Sequence, residues 1–237
     1  LPSSVSLSPQ GARLVEACAL SRMDLNSAAY LLYPVNFTLS GGDRVAITGS
    51  SGSGKSVFLR TLALLDAPGS GQVVWHDQPV QAAQIPGYRS KVCYIAQRPS
   101  MMDGTVEDNL RFPYSLNIFK QQKFDIEKVK DLLRQVGKPE TFLLKTADDL
   151  SGGEAQVVSL IRAIQLDPEV MLLDEPTAAL DPQSSSHVEK LVNTWFNGGA
   201  ASTRAYIWVS HDLDQAQRMS NIRLEMHAGV LTAMGNT

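Results

Sequence analysis

Cysteine is scarce: the 237-residue chain carries two, Cys18 and Cys93. Neither belongs to a CxxC pair or a Cys/His cluster, so a zinc site built on them is not expected, and they read as two buried thiols in a reducing compartment. Long apolar runs are missing as well. Val170 to Leu173 is typical of the longest, whereas a membrane span needs about 20 such residues. Leu1 to Gln10 lacks the basic start and apolar centre of a signal peptide. These absences predict a soluble, cytoplasmic chain. Nor is there an excess of positive charge. Lys and Arg number 21 against 24 Asp and Glu, a net charge of -3. A chain that grips a nucleic-acid backbone is usually basic, so the balance disfavours that class and no nucleic-acid partner is expected. What remains is ordinary. With 43% hydrophobic and 19% charged residues, the chain is neither collagen-like, coiled-coil nor disordered, and it is long enough to bury a core.

The order of patterns along the chain predicts an α/β protein. Residues 1–11, rich in Ser and Pro, read as a flexible tail. Leu14 to Cys18 and Val35 to Leu39 read as antiparallel strands. Gly41-Gly42-Asp43 is a turn, and Arg44 to Thr48 a buried strand that runs into a glycine-rich loop. Val57 to Leu65 then carries helical spacing until Pro68-Gly69. Gln72 to Trp75 is a strand, followed by a turn at His76 to Pro79. Residues 98–165 differ in texture: Ile126, Val129, Leu132, Leu133 and Val136 lie at helical spacing before Gly137 and Pro139, and a further helix begins near Ser151. Val170 to Leu173 and Tyr206 to Val209 are short buried strands. Strands alternating with helices imply a parallel sheet covered on both faces, with a mostly helical middle inserted into it.

Four segments carry phosphate chemistry. Gly49-Ser50-Ser51-Gly52-Ser53-Gly54-Lys55-Ser56 fits GxxxxGK[ST], in which glycines let successive backbone N–H groups converge on phosphate oxygens at a helix N-terminus. Lys55 reaches the terminal phosphates and the Ser56 hydroxyl ligates Mg2+. Val170 to Leu173 ends in Asp174 and Glu175. Asp174 is a candidate to hold Mg2+ through water, and Glu175 to polarise an attacking water as general base. His211, at the tip of the Tyr206 to Val209 strand, is placed to sense a γ-phosphate. His76, His187 and His227 form no ligand spacing and read as surface or turn residues. Leu150-Ser151-Gly152-Gly153-Glu154 makes a second anion site, with Ser151 as N-cap and two glycines exposing N–H groups. One γ-phosphate needs only one cradle in its own subunit. Two cradles in one chain imply a head-to-tail homodimer with nucleotide sandwiched between copies.

In this order the motifs resemble an ABC-type ATPase subunit. Gly49 to Ser56 is similar to Walker A and Gln97, in Tyr94-Ile95-Ala96-Gln97, to the Q-loop. Leu150 to Glu154 resembles the signature, Val170 to Glu175 Walker B, Ala179-Leu180-Asp181 the D-loop, and His211 the switch histidine. The resemblance implies a P-loop NTPase fold: a RecA-like core, an antiparallel β subdomain and an inserted helical subdomain near 98–165, within one domain over 12–237. It implies ATP and Mg2+, with catalysis by Glu175, His211 and Lys55. Nucleotide contacts come from residues 49–56, Gln97, Ser151, Gly152 and Gly153, and metal contacts from Ser56, Gln97 and Asp174. Gln97 also couples the site to a membrane partner.

Asp108 to Tyr114, Ser159 to Arg162 and His227 to Gly229 are similar to bacterial iron-export ATPases, which work with a separate FetB-type permease. That implies a peripheral protein on the cytoplasmic face of the inner membrane, powering export, with residues 98–145 facing the permease. A soluble ABC ATPase acting on nucleic acid or ribosomes, and a cargo other than iron, are the alternatives. Two departures stand out. Met23 to Asn26 occupy the stretch where the family usually has an adenine-stacking aromatic, and Tyr30 would need a shift in register, which implies relaxed adenine selectivity. Val157 stands where an Arg often follows the signature.

Overall fold

The structure, a computed structural model, describes residues 3–5, 11–24, 26, 27, 29–178, 180–199 and 202–234. The chain forms two units, one from Leu1–Tyr94, Glu169–Glu175 and Gly199–Thr237, the other from Ile95–Pro168 and Pro176–Gly198.

The first unit holds two sheets. Strands β1 (Ser3–Val5), β2 (Arg13–Met23), β3 (Tyr30–Ser40), β4 (Arg44–Thr48), β5 (Ser70–Trp75), β6 (Gln78–Pro79), β7 (Val92–Ile95), β8 (Val170–Asp174), β9 (Ala205–Val209), β10 (Ile222–His227) and β11 (Val230–Ala233) divide between them. One sheet runs β1-β3-β2-β5-β6 and the other β11-β10-β4-β9-β8-β7. In the first, β2 pairs antiparallel with β3 and β5. Ser3–Val5, expected in a flexible tail, instead pairs parallel with Val35–Phe37, because the outer edge of β3 offers unpaired N–H and C=O groups; most of the tail lies outside the described residues. In the second sheet β10, β4, β9 and β8 are parallel neighbours. Strands β8 and β9 are buried at every position, as both faces of a parallel sheet should be. Cys18 and Cys93 are free and half-buried rather than buried.

Helix α1 (Lys55–Leu62) follows β4 and buries Phe58, Leu59 and Leu62 in a core shared by both sheets. It stops well before Pro68, with Leu64 in the left-handed region at φ 55°. The helix α2 (Ile85–Lys91) takes up its orphan carbonyls: Tyr88 Oη donates to Leu62 O at 2.7 Å, and Arg89 donates to Ala63 O and Leu64 O. His76 and Asp77, at φ 47° and 59°, form the two-residue turn from β5 to β6, a type I′ pattern suited to strand twist.

The second unit is helical: α3 (Val106–Arg111), α4 (Ile126–Gln135), α5 (Gly152–Ile164) and α6 (Pro182–Asn197). Its core gathers Leu110, Val129, Leu133, Val158, Ile161, Val188 and Val192, all fully buried. Buried Asn109 bonds Met102 N and O and Thr105 O, which holds the segment before α3 in place. Helix α7 (Leu213–Met219) returns to the first unit.

Candidate functional site

In the first unit the chemistry sits at the carboxyl ends of β4, β8 and β9, three adjacent parallel strands. Ligands of open α/β sheets bind at that edge. The loop from Gly49 to Gly54 leaves β4 and opens α1. Gly49 has φ 138°, and a Cβ there would lie 2.2 Å from Met226 O; Gly54 has φ 107°, and a Cβ would lie 2.8 Å from Leu31 O. Only glycine permits that backbone that close to its neighbours. The turn between β10 and β11 pins the loop from above, with Gly229 N donating to Ser53 O at 2.8 Å. Helix α1 has no acidic residue in its first turn, so its positive end is uncompensated.

Lys55 is 4% exposed. Its ammonium donates to Gly49 O at 2.8 Å and Ser50 O at 2.9 Å, curling back over the loop. Burial lowers its pKa, while the carboxylates of Glu175 and Asp174 work against that shift. Ser56, the next residue, is exposed.

Asp174 ends β8 and is buried. Its Oδ2 accepts from Tyr94 Oη at 2.8 Å, while Oδ1 is buried with no hydrogen-bond partner. Burial, then the Asp174 charge and hydrogen bond, push the Tyr94 phenol pKa up and keep it a neutral donor. Glu175 is held at φ 47°, a left-handed backbone that costs about 1 kcal/mol or more in a non-glycine residue. Its N–H donates to Val209 O at 3.2 Å, and its Oε1 lies 2.5 Å from His211 Nε2. The loop bearing His211 is fixed by Gln215 of α7, whose Oε1 accepts from Ser210 Oγ at 2.8 Å and from Trp208 Nε1 at 3.1 Å.

Residues 49–56, Asp174, Glu175 and His211 thus share one sheet edge. Gln97, Ser151, Gly152 and Gly153 belong to the second unit. There Gln97 is exposed, and Gln156 of α5 braces the preceding residue by donating to Ala96 O at 3.3 Å. Ser151 caps α5 in a capping box: its Oγ accepts from Glu154 N, and Glu154 Oε2 accepts from Ser151 N at 3.0 Å. Glu154 also receives Lys138 at 3.0 Å and Lys145 at 2.6 Å. Burial works to raise its pKa, but the bonds from Lys145, Lys138 and the Ser151 amide outweigh it and hold the carboxyl at about 2. With the Glu154 charge paired to Lys138 and Lys145, Ser151, Gly152 and Gly153 line a cleft of about 600 Å3 together with Asp181 and His187. His187 is therefore half-buried on a helix rather than a turn residue. Ala179 lies outside the described residues.

Tyr94, Gln215, Lys138 and Lys145 escape sequence reading because their partners are remote or their residue types common. Tyr33 is another. Its ring stacks on that of Tyr30 at 4.7 Å between centroids, and its N–H donates to Gly229 O, the residue that pins the loop. Val157 is buried in its unit, a position suited to an apolar side chain.

The sequence matches the ABC transporter family over residues 32–178. It is 37% identical to the "Probable iron export ATP-binding protein FetA" of Escherichia coli strain K12 over 85% of this chain and 87% of that one. It is 36% identical to Protein STAR1 of rice, Oryza sativa subsp. japonica, over 84% of this chain and 56% of that one. Among solved structures, the dimeric post-hydrolysis state of the ATP-binding cassette MJ0796 with ADP and Pi superposes with a TM-score of 0.80, at 23% identity, over 94% of this chain and all of that one. That likeness carries the fold, and the sequence match carries the kinship. The P-loop NTPase architecture and the motif order belong together, and the chain is a member of the ABC transporter family, an ATP-binding and ATP-hydrolysing subunit.

Proposed function

We propose that this chain powers iron export through a separate FetB-like membrane permease, as a head-to-tail homodimer on the cytoplasmic face of the inner membrane. The observation that carries the hydrolytic part of the reading is the 2.5 Å pairing of His211 Nε2 with Glu175 Oε1 beside buried Lys55 and Asp174, a base and its orienting partner at the mouth of a phosphate loop. Iron and export rest on the likeness to FetA. Exposed Phe112, Leu116 and Ile118 of the second unit supply an apolar face for a permease. No helix among the described residues is long and apolar enough to cross a membrane, so in this reading the span is the partner's.

The residues fit a magnesium ion. Asp174 Oδ1 is a buried oxygen without a partner, and with the Ser56 hydroxyl it offers the hard oxygen donors that Mg2+ takes. When bound, the ion supplies neutralising charge at the phosphates. Lys55 releases the loop carbonyls and turns its ammonium to the terminal phosphates, whose oxygens the loop amides hold in line. Glu175 accepts a proton from the attacking water. His211 fixes the Glu175 carboxylate and contacts the γ-phosphate. Ser151, Gly152 and Gly153 of the partner copy close over the same phosphate, so binding closes the dimer and hydrolysis reopens it.

The test is a pull-down from native membranes with Glu175→Gln held in Mg·ATP, the captured protein being identified by mass spectrometry. A multi-span permease is the expected result. Ribosomes or nucleic acid without a membrane protein would overturn the transporter part and leave the ATPase standing.

A further inference from the structure

Asp174 has two carboxylate oxygens in two different situations. Oδ2 accepts from Tyr94 Oη at 2.8 Å, and Oδ1 is buried without a partner. Leaving a buried carboxylate oxygen unsatisfied is costly unless a cation completes it. The Tyr94 phenol donates its proton to Asp174 Oδ2, which fixes its hydroxyl rotor. That bond ties β7 to the end of β8, and both residues lie in the first unit.

We propose that Tyr94 is a positioning residue for metal binding: its hydroxyl holds Asp174 Oδ2 so that Oδ1 is presented to the magnesium ion. This rests on the reading of Asp174 as a magnesium ligand. The residue type supports it. A Lys or Arg at position 94 would form an ion pair with Asp174 and compete with the metal for its charge. A Phe would leave the carboxylate free to turn. A neutral phenol orients the carboxylate and leaves its negative charge for the cation.

The experiment uses the full chain, with Mn2+ replacing Mg2+ and ATPγS as nucleotide, and follows Mn2+ binding by electron paramagnetic resonance. Tyr94→Phe is expected to bind Mn2+ about 10-fold more weakly, the order of effect seen when a hydrogen-bond partner of a metal ligand is removed. Its metal-free affinity for ATPγS should be unchanged. In steady-state hydrolysis the KM for Mg2+ should rise while kcat at saturating Mg2+ stays near wild type. A bond that merely satisfies a buried carboxylate would lower thermal stability and leave Mn2+ affinity untouched, and that result would overturn the proposal. Asp174→Asn separates the two levels. If it weakens Mn2+ binding and Tyr94→Phe does not, Tyr94 has no positioning role and Asp174 remains a ligand. If neither weakens it, the reading of Asp174 fails and takes the proposal with it. Should Tyr94→Phe fold poorly, Tyr94→Met carries the test, since a flexible apolar side chain fills the space without a donor: weaker Mn2+ binding supports the proposal, and wild-type binding overturns it.

Discussion

At Glu175 backbone and side chain ask for different things: φ is 47°, which favours glycine, yet the residue carries a carboxylate that pairs with His211. Glu175→Gln keeps the side chain's shape and removes the carboxylate proposed as the base. Hydrolysis should fall by about 100-fold or more, the scale of general-base contributions, while ATP binding persists; phosphate release and a nucleotide titration measure the two. Lys55→Ala should do the reverse, weakening ATP binding by roughly 10-fold or more through loss of hydrogen bonds to a charged phosphate. Glu154 makes a pH prediction. Its folded-state value of about 2 lies below its ordinary 4.5, so the stabilisation from Lys145 and Lys138 is complete above pH 4.5 and fades as pH falls toward 2. The melting-temperature gap between wild type and Glu154→Gln should therefore be widest above pH 5 and narrow by pH 3. Asp174 and Glu175 stand out in sequence because they are contiguous with an apolar strand. Tyr94 does not, because its partner is 80 positions away and a tyrosine in a strand is usually just packing.

Elements whose cause is local were the most legible. The strand expected at Arg44 to Thr48 is β4, with the same ends. Ser151 caps α5 through a box formed with Glu154, three residues on. Elements whose cause is remote were hidden. Strand β10 is short and half polar, and it exists because β4 offers it an edge from Val45 to Thr48; α1 ends early because Tyr88 and Arg89 cap it from a later segment. The loop joining β4 to α1 shows how closely an element's conformation is determined by its neighbours. Gly54→Ala places a Cβ 2.8 Å from Leu31 O at φ 107°, a strain of about 1–3 kcal/mol. A fall in melting temperature of roughly 2–10 °C follows for a chain of this size, with loss of ATP binding because the amides no longer converge. A Gly54→Ala variant that melts and binds like wild type would mean that the loop has slack the geometry does not allow.

At the scale of the molecule the second unit spends buried apolar residues on its own core and still leaves Phe112, Leu116 and Ile118 at 38%, 43% and 46% exposure. The three fall in or between the 3-10 turns Phe112–Ser115 and Asn117–Phe119, directly after α3. The capping box of Thr105 and Asp108 and the bonds of Asn109 hold α3 in place. Sequence periodicity could not separate such residues from core, since both are apolar at irregular spacing. Exposed apolar side chains on a backbone already held in place are what a partner's apolar segment needs, because the backbone beneath them loses no further entropy on docking. Leu116→Asp with Ile118→Asp should therefore leave basal ATP hydrolysis and melting temperature near wild type, since both side chains already face water. In proteoliposomes containing the permease, hydrolysis stimulated by that partner should drop by about 10-fold or more, as two carboxylates must be desolvated on docking. Full stimulation by the doubly substituted chain would move the permease contact away from this face, whereas loss of basal activity would mean that the two residues support the fold instead.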